Sequence, residues 1–136
     1  KEKLVMNRFE SVKNSFFVRI KDNNKTMNKK VKDLFDDIKD YKEITDDGRH
    51  VIMCHYPIPF HKATYNKDVY MLYGHVHETR EYDFIKKLKK DIVNSHVSNT
   101  EALGQFYNVG CMLPYMNYTP RTLDEIIEGE KNVFSN

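Results

Sequence analysis

The chain has 136 residues, of which 40% are hydrophobic and 31% charged, so it is long enough for one domain with a core and too short for two. Its net charge of +2 is too small to indicate a nucleic-acid-binding or membrane-surface protein, and no stretch approaches the ~18 apolar residues of a membrane span. Two cysteines, Cys54 and Cys111, stand in apolar runs, which predicts free thiols and a cytoplasmic location.

The first forty residues predict a helix, a strand and a second helix. Residues 3–13 carry apolar side chains at helical spacing, and residues 15–20 are rich in β-formers. Residues 29–39 again place an apolar face opposite lysines and aspartates. The polar segment 21–25 predicts a loop at the end of the strand.

Three further strands are predicted in the middle of the chain, at residues 41–44, 50–54 and 69–73. The sequence Asp46-Asp47-Gly48 separates the first two and favours a tight hairpin turn. The last two are short apolar runs of the kind that forms buried strands. We therefore expect a sheet at the centre of the domain.

The segment after residue 80 predicts a helix over residues 83–90, with Phe84, Ile85 and Leu88 facing inward. The polar stretch 94–104 predicts a mobile connection. Beyond it the pattern gives one more strand and one more helix.

That strand is predicted at residues 106–109. Thr122 and Glu125 then form a capping box that opens a short C-terminal helix. The chain after Gly129 is expected to fray. The whole pattern is that of a mixed α/β (α+β) domain.

Three histidines follow two of the predicted strands. His55 ends the run at residues 51–54, and the run at residues 69–73 leads into Gly74, His75 and His77. In α/β proteins ligands bind beyond the carboxyl ends of strands, and alternate residues of an extended segment share a face. We therefore expect the three imidazoles to converge on a metal ion, although the pair at 75 and 77 alone also fits two partly exposed histidines in a turn.

Four segments carry a family resemblance. They are His55-Tyr56-Pro57-Ile58, Tyr73-Gly74-His75-Val76-His77, Asn108-Val109-Gly110, and residues 118–126, which read Tyr-Thr-Pro-Arg-Thr-Leu-Asp-Glu-Ile. In order and spacing they resemble the calcineurin-like metallophosphoesterases, in particular the small bacterial and phage members, from about residue 5 to residue 127.

The resemblance implies a sandwich of two mixed sheets flanked by helices, with a pair of divalent metals at the strand ends. His55 and His75 would ligate one metal and His77 the other, and Asn23 matches the metal-binding asparagine of the family. The implied metal is Mn, Fe or Zn, and the implied activity is hydrolysis of a phosphomonoester or phosphodiester by a metal-activated water.

The chain also departs from this family. It contains no Asp-x-His motif and no Gly-Asp dipeptide, which the family places upstream, so we expect a partial domain over residues 1–136 that lacks the first strands. Where the family has Gly-Asn-His-Asp, this chain has Asp22-Asn23-Asn24-Lys25. Asn24 cannot act as a general acid, a loss of about 10²–10⁴-fold, so no catalytic residue is assigned. Without a bridging carboxylate we expect one ion rather than two.

His61 lies in the loop after the second of these strands, where it would contact the phosphate of a substrate if it faced the same crevice. The plainer interpretation is a loop histidine. Asp22, Asp68 and Glu78 are candidate oxygen donors to the metal, although solvated loop charges are the more common case.

Two functions remain open. The first is a phosphoesterase whose missing ligands come from another segment, from a second chain or from a homo-oligomer that also completes the sheet. The second is a relative that has lost catalysis and acts as a binding or regulatory protein. Under either hypothesis we expect no membrane partner, and we expect nucleic acid only as a substrate of the phosphodiesterase activity.

Overall fold

The computed structural model describes residues 41–98 and 100–134. The predictions for residues 1–40, which include Asn23 and Asn24, lie outside the described residues. The described elements are, in chain order, β1 (Tyr41–Asp46), β2 (Arg49–Cys54), β3 (Val69–Tyr73), α1 (Arg80–Asn94), α2 (Thr100–Leu103), β4 (Phe106–Asn108) and α3 (Leu123–Phe134). In this part of the chain, no helix is long and apolar enough to cross a membrane.

The four strands form one mixed sheet in the order β1-β2-β3-β4. β1 pairs with β2 in antiparallel fashion, whereas β2, β3 and β4 run parallel to one another. The mixed α/β class is therefore confirmed, and the two-sheet sandwich stays a prediction. Because the three parallel strands end at the same edge of the sheet, the residues that follow them are brought close together.

The predicted hairpin turn joins β1 to β2. Asp47 and Gly48 both have positive φ angles, 48° and 80°, which is the conformation that a two-residue type I′ turn requires. Asp46 pairs with Arg49 across the turn. The Arg49 guanidinium donates to Asp46 Oδ2 at 2.7 Å and to Asp124 Oδ1 at 2.6 Å, so it also links the hairpin to α3.

The core is formed by the sheet together with the turn after β3, helix α1, the loop after β4 and helix α3. Its fully buried apolar side chains come from β2, β3, β4, the loop after β4 and α3, and are Val51, Ile52, Met71, Leu72, Tyr73, Phe106, Leu113, Met116, Leu123 and Ile126. Burial of a large apolar side chain contributes roughly 1.5–3 kcal/mol, so this set holds the strand ends in place.

The inward face of α1 differs from the prediction. The helix begins at Arg80, and its buried residue is Tyr82, while Phe84 is 70% exposed. An α-helix turns about 100° per residue, so Ile85 shares the face of Tyr82, whereas Phe84 lies about 200° away from it. Ile85 packs against the core as predicted, and Leu88 is half-buried.

The predicted mobile connection after α1 contains the short helix α2. Ala102 and Leu103 of α2 are buried, and so is Gly104 after it. The prediction of a loop is therefore wrong for residues 100–104, where the apolar side chains pack on the rest of the domain, whereas residues 96–98 are exposed and irregular, as a connection would be.

The C-terminal helix begins as predicted but continues further. The Glu125 N–H donates to Thr122 Oγ1 at 3.2 Å, and the Glu125 carboxylate accepts from the Thr122 N–H at 2.6 Å, so the capping box is confirmed. The expected fraying after Gly129 was wrong, because α3 runs to Phe134 and the side chain of Glu130 is buried.

Gly129 lies where α3 crosses Tyr115. A Cβ atom at this position would lie 2.6 Å from Tyr115 Cβ and 2.9 Å from its Cγ. These atoms are next to the backbone and cannot swing away. We expect Gly129→Ala to lower the free energy of unfolding by about 1–3 kcal/mol in urea denaturation, through overpacking.

Glu128→Ala is the matched control, because Glu128 is exposed on the same helix and should change stability by no more than about 0.5 kcal/mol. Helix propensity alone favours Gly129→Ala by about 1 kcal/mol. A variant that gains stability would therefore contradict the close approach of Tyr115.

Candidate metal centre

The candidate site is built at the carboxyl ends of β2 and β3. His55 directly follows β2, and Gly74 directly follows β3. The carbonyl oxygen of His55 accepts two backbone hydrogen bonds, from Gly74 N–H at 3.2 Å and from His75 N–H at 2.9 Å. The turn that carries His75 is therefore fixed to the backbone of His55.

These bonds bring two imidazole rings together, and we call His55 and His75 the histidine pair. His75 Nδ1 lies 3.1 Å from His55 Nε2, and the ring centroids are 5.0 Å apart. His55 is buried, whereas His75 is half-buried, so solvent reaches the pair mainly at His75.

The distance within the histidine pair suits a shared metal ion. Two nitrogens each about 2.0–2.1 Å from a tetrahedral zinc lie about 3.3 Å apart, close to the observed 3.1 Å. Without an ion, one of the two nitrogens donates a proton and the other accepts it. The residues present therefore fit two ligands of one ion.

Tyr56 covers part of this pair. Its ring lies 4.8 Å from the ring of His55 and 4.6 Å from that of His75, measured between centroids. The side chain of Tyr56 is 47% exposed, so the ring packs on the histidines while one side remains in contact with solvent.

We expected His77 to converge with the histidine pair, but in the described residues the three imidazoles do not form one group. The segment after β3 is a turn and not an extended strand: His77 has a φ of 47°, and its N–H donates to the Gly74 carbonyl at 3.1 Å. The alternation rule that predicted a shared face therefore does not apply to His75 and His77. His77 Nδ1 lies 3.2 Å from Met112 Sδ. Within residues 41–98 and 100–134, no three side chains of His, Cys, Asp or Glu are grouped closely enough to hold a metal ion.

His61 is a buried side chain in the loop between β2 and β3. Its Nδ1 lies 2.9 Å from the Lys62 carbonyl, which fixes the proton on Nδ1 in the neutral ring. Its Nε2 is buried, with no hydrogen-bond partner in the part of the chain described. In the neutral ring, Nε2 therefore has a lone pair that accepts no hydrogen bond in the described residues. The contact of His61 with a substrate phosphate stays a prediction.

The remaining described histidines have other surroundings. His50 Nε2 lies 2.7 Å from Glu43 Oε2 across the β1–β2 hairpin, and His96 is exposed after α1. Asp68 and Glu78, two of the candidate oxygen donors, are both exposed. His96 provides a natural control for the histidine pair.

Asn108 is a site residue to which the sequence assigned no role. It is fully buried at the end of β4, and its Nδ2 donates to the His77 carbonyl at 2.9 Å. Its Oδ1 accepts from Gly110 N–H at 2.9 Å. In the sequence Asn108 opens the Asn-Val-Gly motif, which marks a turn after a strand. The motif does not indicate that the Asn108 side chain contacts the turn of His77.

A buried ion pair, Lys89 and Glu130, joins α1 to α3 next to β4. The ammonium of Lys89 donates to the Glu130 carboxylate and to the Phe106 carbonyl, the latter at 3.0 Å, and lies 3.8 Å from the centroid of the Tyr107 ring. Burial lowers the pKa of Lys89 and raises the pKa of Glu130, while the charge of each partner opposes the shift of the other. The backbone N–H of Asn108 also lowers the pKa of Glu130. Through the bond of Lys89 to the Phe106 carbonyl, the ion pair contacts β4, the strand that ends at Asn108.

Comparison of the chain with family models, with curated proteins and with solved structures finds no match. The family resemblance therefore rests on the sequence motifs.

Proposed function

We propose that this chain is a metal-dependent phosphoesterase that carries part of the dinuclear site of that family, with His55 and His75 holding one divalent ion. The observation that supports this most is the 3.1 Å distance between His75 Nδ1 and His55 Nε2 at the ends of two parallel strands. A second support is the order of the sequence motifs, which resembles that of the metallophosphoesterases.

A divalent ion bound here would polarise a phosphoryl oxygen and lower the pKa of a bound water. The residues of the chain would orient this site. The His55 carbonyl fixes the turn of His75, and burial of His55 keeps its ring in one position. Asn23 is a further proposed ligand of this ion, His77 is the proposed ligand of a second and much weaker site, and His61 is a proposed contact to the phosphate. Mn²⁺, Fe²⁺ and Zn²⁺ are the ions that suit imidazole together with an amide oxygen.

The proposed substrate is a phosphomonoester or a phosphodiester. Asn24 stands where the family has an acid histidine, so the leaving group would depart without a proton from this position. Esters with good leaving groups need no such proton. We therefore expect the chain to hydrolyse nitrophenyl phosphates far better than alkyl phosphates, and to do so slowly.

A relative that binds phosphate esters without turnover is the second candidate. It is favoured by Asn24 and Lys25, which replace the acid histidine and its acidic neighbour. If the chain is an enzyme, a second chain or another copy would supply the missing carboxylates and pair with the sheet.

The two free cysteines, Cys54 and Cys111, favour the cytoplasm as the compartment.

The test is hydrolysis of p-nitrophenyl phosphate and bis(p-nitrophenyl) phosphate with and without Mn²⁺, for the unmodified chain, His75→Ala and His96→Ala. We expect Mn²⁺-dependent release of nitrophenol that His75→Ala reduces at least tenfold and His96→Ala leaves unchanged, because only His75 belongs to the histidine pair. Release that does not depend on Mn²⁺, or that is equal in both variants, would contradict the proposal. Binding of the diester without its hydrolysis would favour the second candidate.

A further inference from the structure

Three polar groups of Asn108 are hydrogen-bonded inside the protein, and the fourth lies near a buried carboxylate. Its backbone carbonyl accepts from the Tyr115 hydroxyl, and its backbone N–H lowers the pKa of the nearby Glu130 carboxyl group. Its side chain donates to the His77 carbonyl and accepts from Gly110 N–H, both at 2.9 Å. The residue is fully buried, so these bonds are not exchanged with water. Asn108 therefore joins the end of β4, the turn of His77 and the loop after β4.

The turn that Asn108 holds is strained. His77 has a φ of 47°, in the left-handed region that residues other than glycine seldom adopt. Such a conformation is unfavourable for a residue with a Cβ atom and persists only where the surroundings impose it. The bond from Asn108 Nδ2 to the His77 carbonyl is a contact that imposes it directly, since it acts on the strained residue itself.

The neighbouring glycine shows how closely the two turns approach. A Cβ atom at Gly110 would lie 3.2 Å from Asn108 Oδ1, 3.1 Å from Met112 Sδ and 3.9 Å from His77 Cα. A side chain at Gly110 would crowd the Asn108 amide oxygen and the Met112 sulfur, whereas it would meet His77 Cα at an ordinary contact distance, so the turn after β4 lies beside the turn of His77. The amide of Asn108 then bridges the two, with its acceptor on one turn and its donor on the other.

We infer that Asn108 is a positioning residue, whose side-chain amide holds the His77 turn in its left-handed conformation and so sets the direction of the His77 imidazole. That this direction serves a metal ligand rests on the proposed function. The positioning itself can be measured on the metal-free protein, so the two claims are separable.

Asn108→Asp separates the two halves of the amide. The introduced carboxylate has nearly the same shape and still accepts from Gly110 N–H, but it cannot donate to the His77 carbonyl and repels that oxygen instead. Asn66→Asp is the control. Asn66 lies in an exposed loop, and its Oδ1 accepts from Asp68 N–H at 2.9 Å, a bond that the aspartate retains.

The experiment records the imidazole signals of all histidines and the backbone amide of Gly110 by ¹H–¹⁵N NMR on the metal-free full chain. In Asn108→Asp we expect the His77 signals to shift or divide into several sets, while the Gly110 amide remains hydrogen-bonded and the signals of His55 and His75 keep their positions. Asn66→Asp should leave all of these signals unchanged. If Asn108→Asp does not fold by circular dichroism, Asn108→Ser, which also lacks the amide donor but adds no charge, provides the comparison.

Unchanged His77 signals in a folded variant would overturn the inference. Equal shifts of all histidine signals would overturn it as well, because they would show a general structural role. Added Zn²⁺, which is diamagnetic, then tests the metal claim separately: it should shift the His77 ring-nitrogen signals in the unmodified chain and, at the same concentration, shift them less in Asn108→Asp, since loss of such a supporting contact weakens metal binding roughly 10–100-fold. Absence of a Zn²⁺-induced shift at His77 in the unmodified chain would count against the proposed metal role alone, and the metal-free spectra would still decide the positioning role.

Discussion

Lys89→Met is expected to lower the free energy of unfolding by about 3–5 kcal/mol, because it leaves the buried carboxylate of Glu130 without its cation. The side chains of Lys89 and Glu130 are only 12% and 3% exposed, so water cannot replace the lost partner. Urea denaturation followed by circular dichroism measures the effect. The same substitution also removes the donor to the Phe106 carbonyl, which adds to the loss.

The matched control is Lys87→Met on the same helix. Lys87 pairs with Asp91 at 2.9 Å, but these side chains are 73% and 62% exposed, and such pairs contribute at most about 0.5 kcal/mol. The double variant Lys89→Met/Glu130→Leu should recover most of the stability, since apolar replacement of a whole buried pair is often neutral. Equal stability of Lys87→Met and Lys89→Met would contradict the buried pair.

The pH dependence of Lys89→Met gives a second signature. Burial already raises the pKa of Glu130 from its ordinary value of 4.5, and loss of Lys89 removes the charge that opposes this shift. The native state then keeps a proton that the unfolded chain releases above pH 4.5, so stability falls as the pH rises, by about 1.4 kcal/mol per unit up to the native pKa. The deficit of Lys89→Met relative to the unmodified chain should therefore be smaller at pH 4 than at pH 7.

Mn²⁺ is expected to stabilise the unmodified chain by about 2.7 kcal/mol when free Mn²⁺ is one hundred times its dissociation constant, because the ion binds the native pair and not the unfolded chain. His75→Ala should lose this stabilisation, since it removes one of the two converging nitrogens. Urea denaturation at several Mn²⁺ concentrations gives both values.

His96→Ala serves as the control for Mn²⁺, because His96 is exposed and lies after α1, away from the strand ends. It should retain the full stabilisation. If His75→Ala is stabilised by Mn²⁺ as much as His96→Ala, the ion binds elsewhere and the histidine pair is not its site.

The positions of the strands in the chain, the hairpin turn and the start of the last helix could be predicted from the sequence, because each depends on residues that are close together in the chain. The two residues Asp47 and Gly48 tolerate positive φ, which alone determines the hairpin. Thr122 and Glu125 cap each other within one turn of helix. The approach of His55 and His75 followed from their places after two apolar runs, because parallel strands end at a common edge.

The features that sequence reasoning missed depend on contacts between distant residues. The direction of His77 is set by a turn and by Asn108, 31 positions along the chain, and not by the alternation of a strand. Glu130 looked like part of a frayed end because its partner Lys89 lies 41 positions away on another helix. Charged residues at helix ends are usually exposed, so the pattern gave no sign of this burial.

The measurement that tests the central claim most directly is the manganese content of the purified chain and of His75→Ala, by elemental analysis after incubation with Mn²⁺ and dialysis. We predict about one ion per chain for the unmodified protein and essentially none for His75→Ala, because the ion needs both nitrogens of the histidine pair. No manganese in the unmodified chain, or the same content in both proteins, would contradict the account.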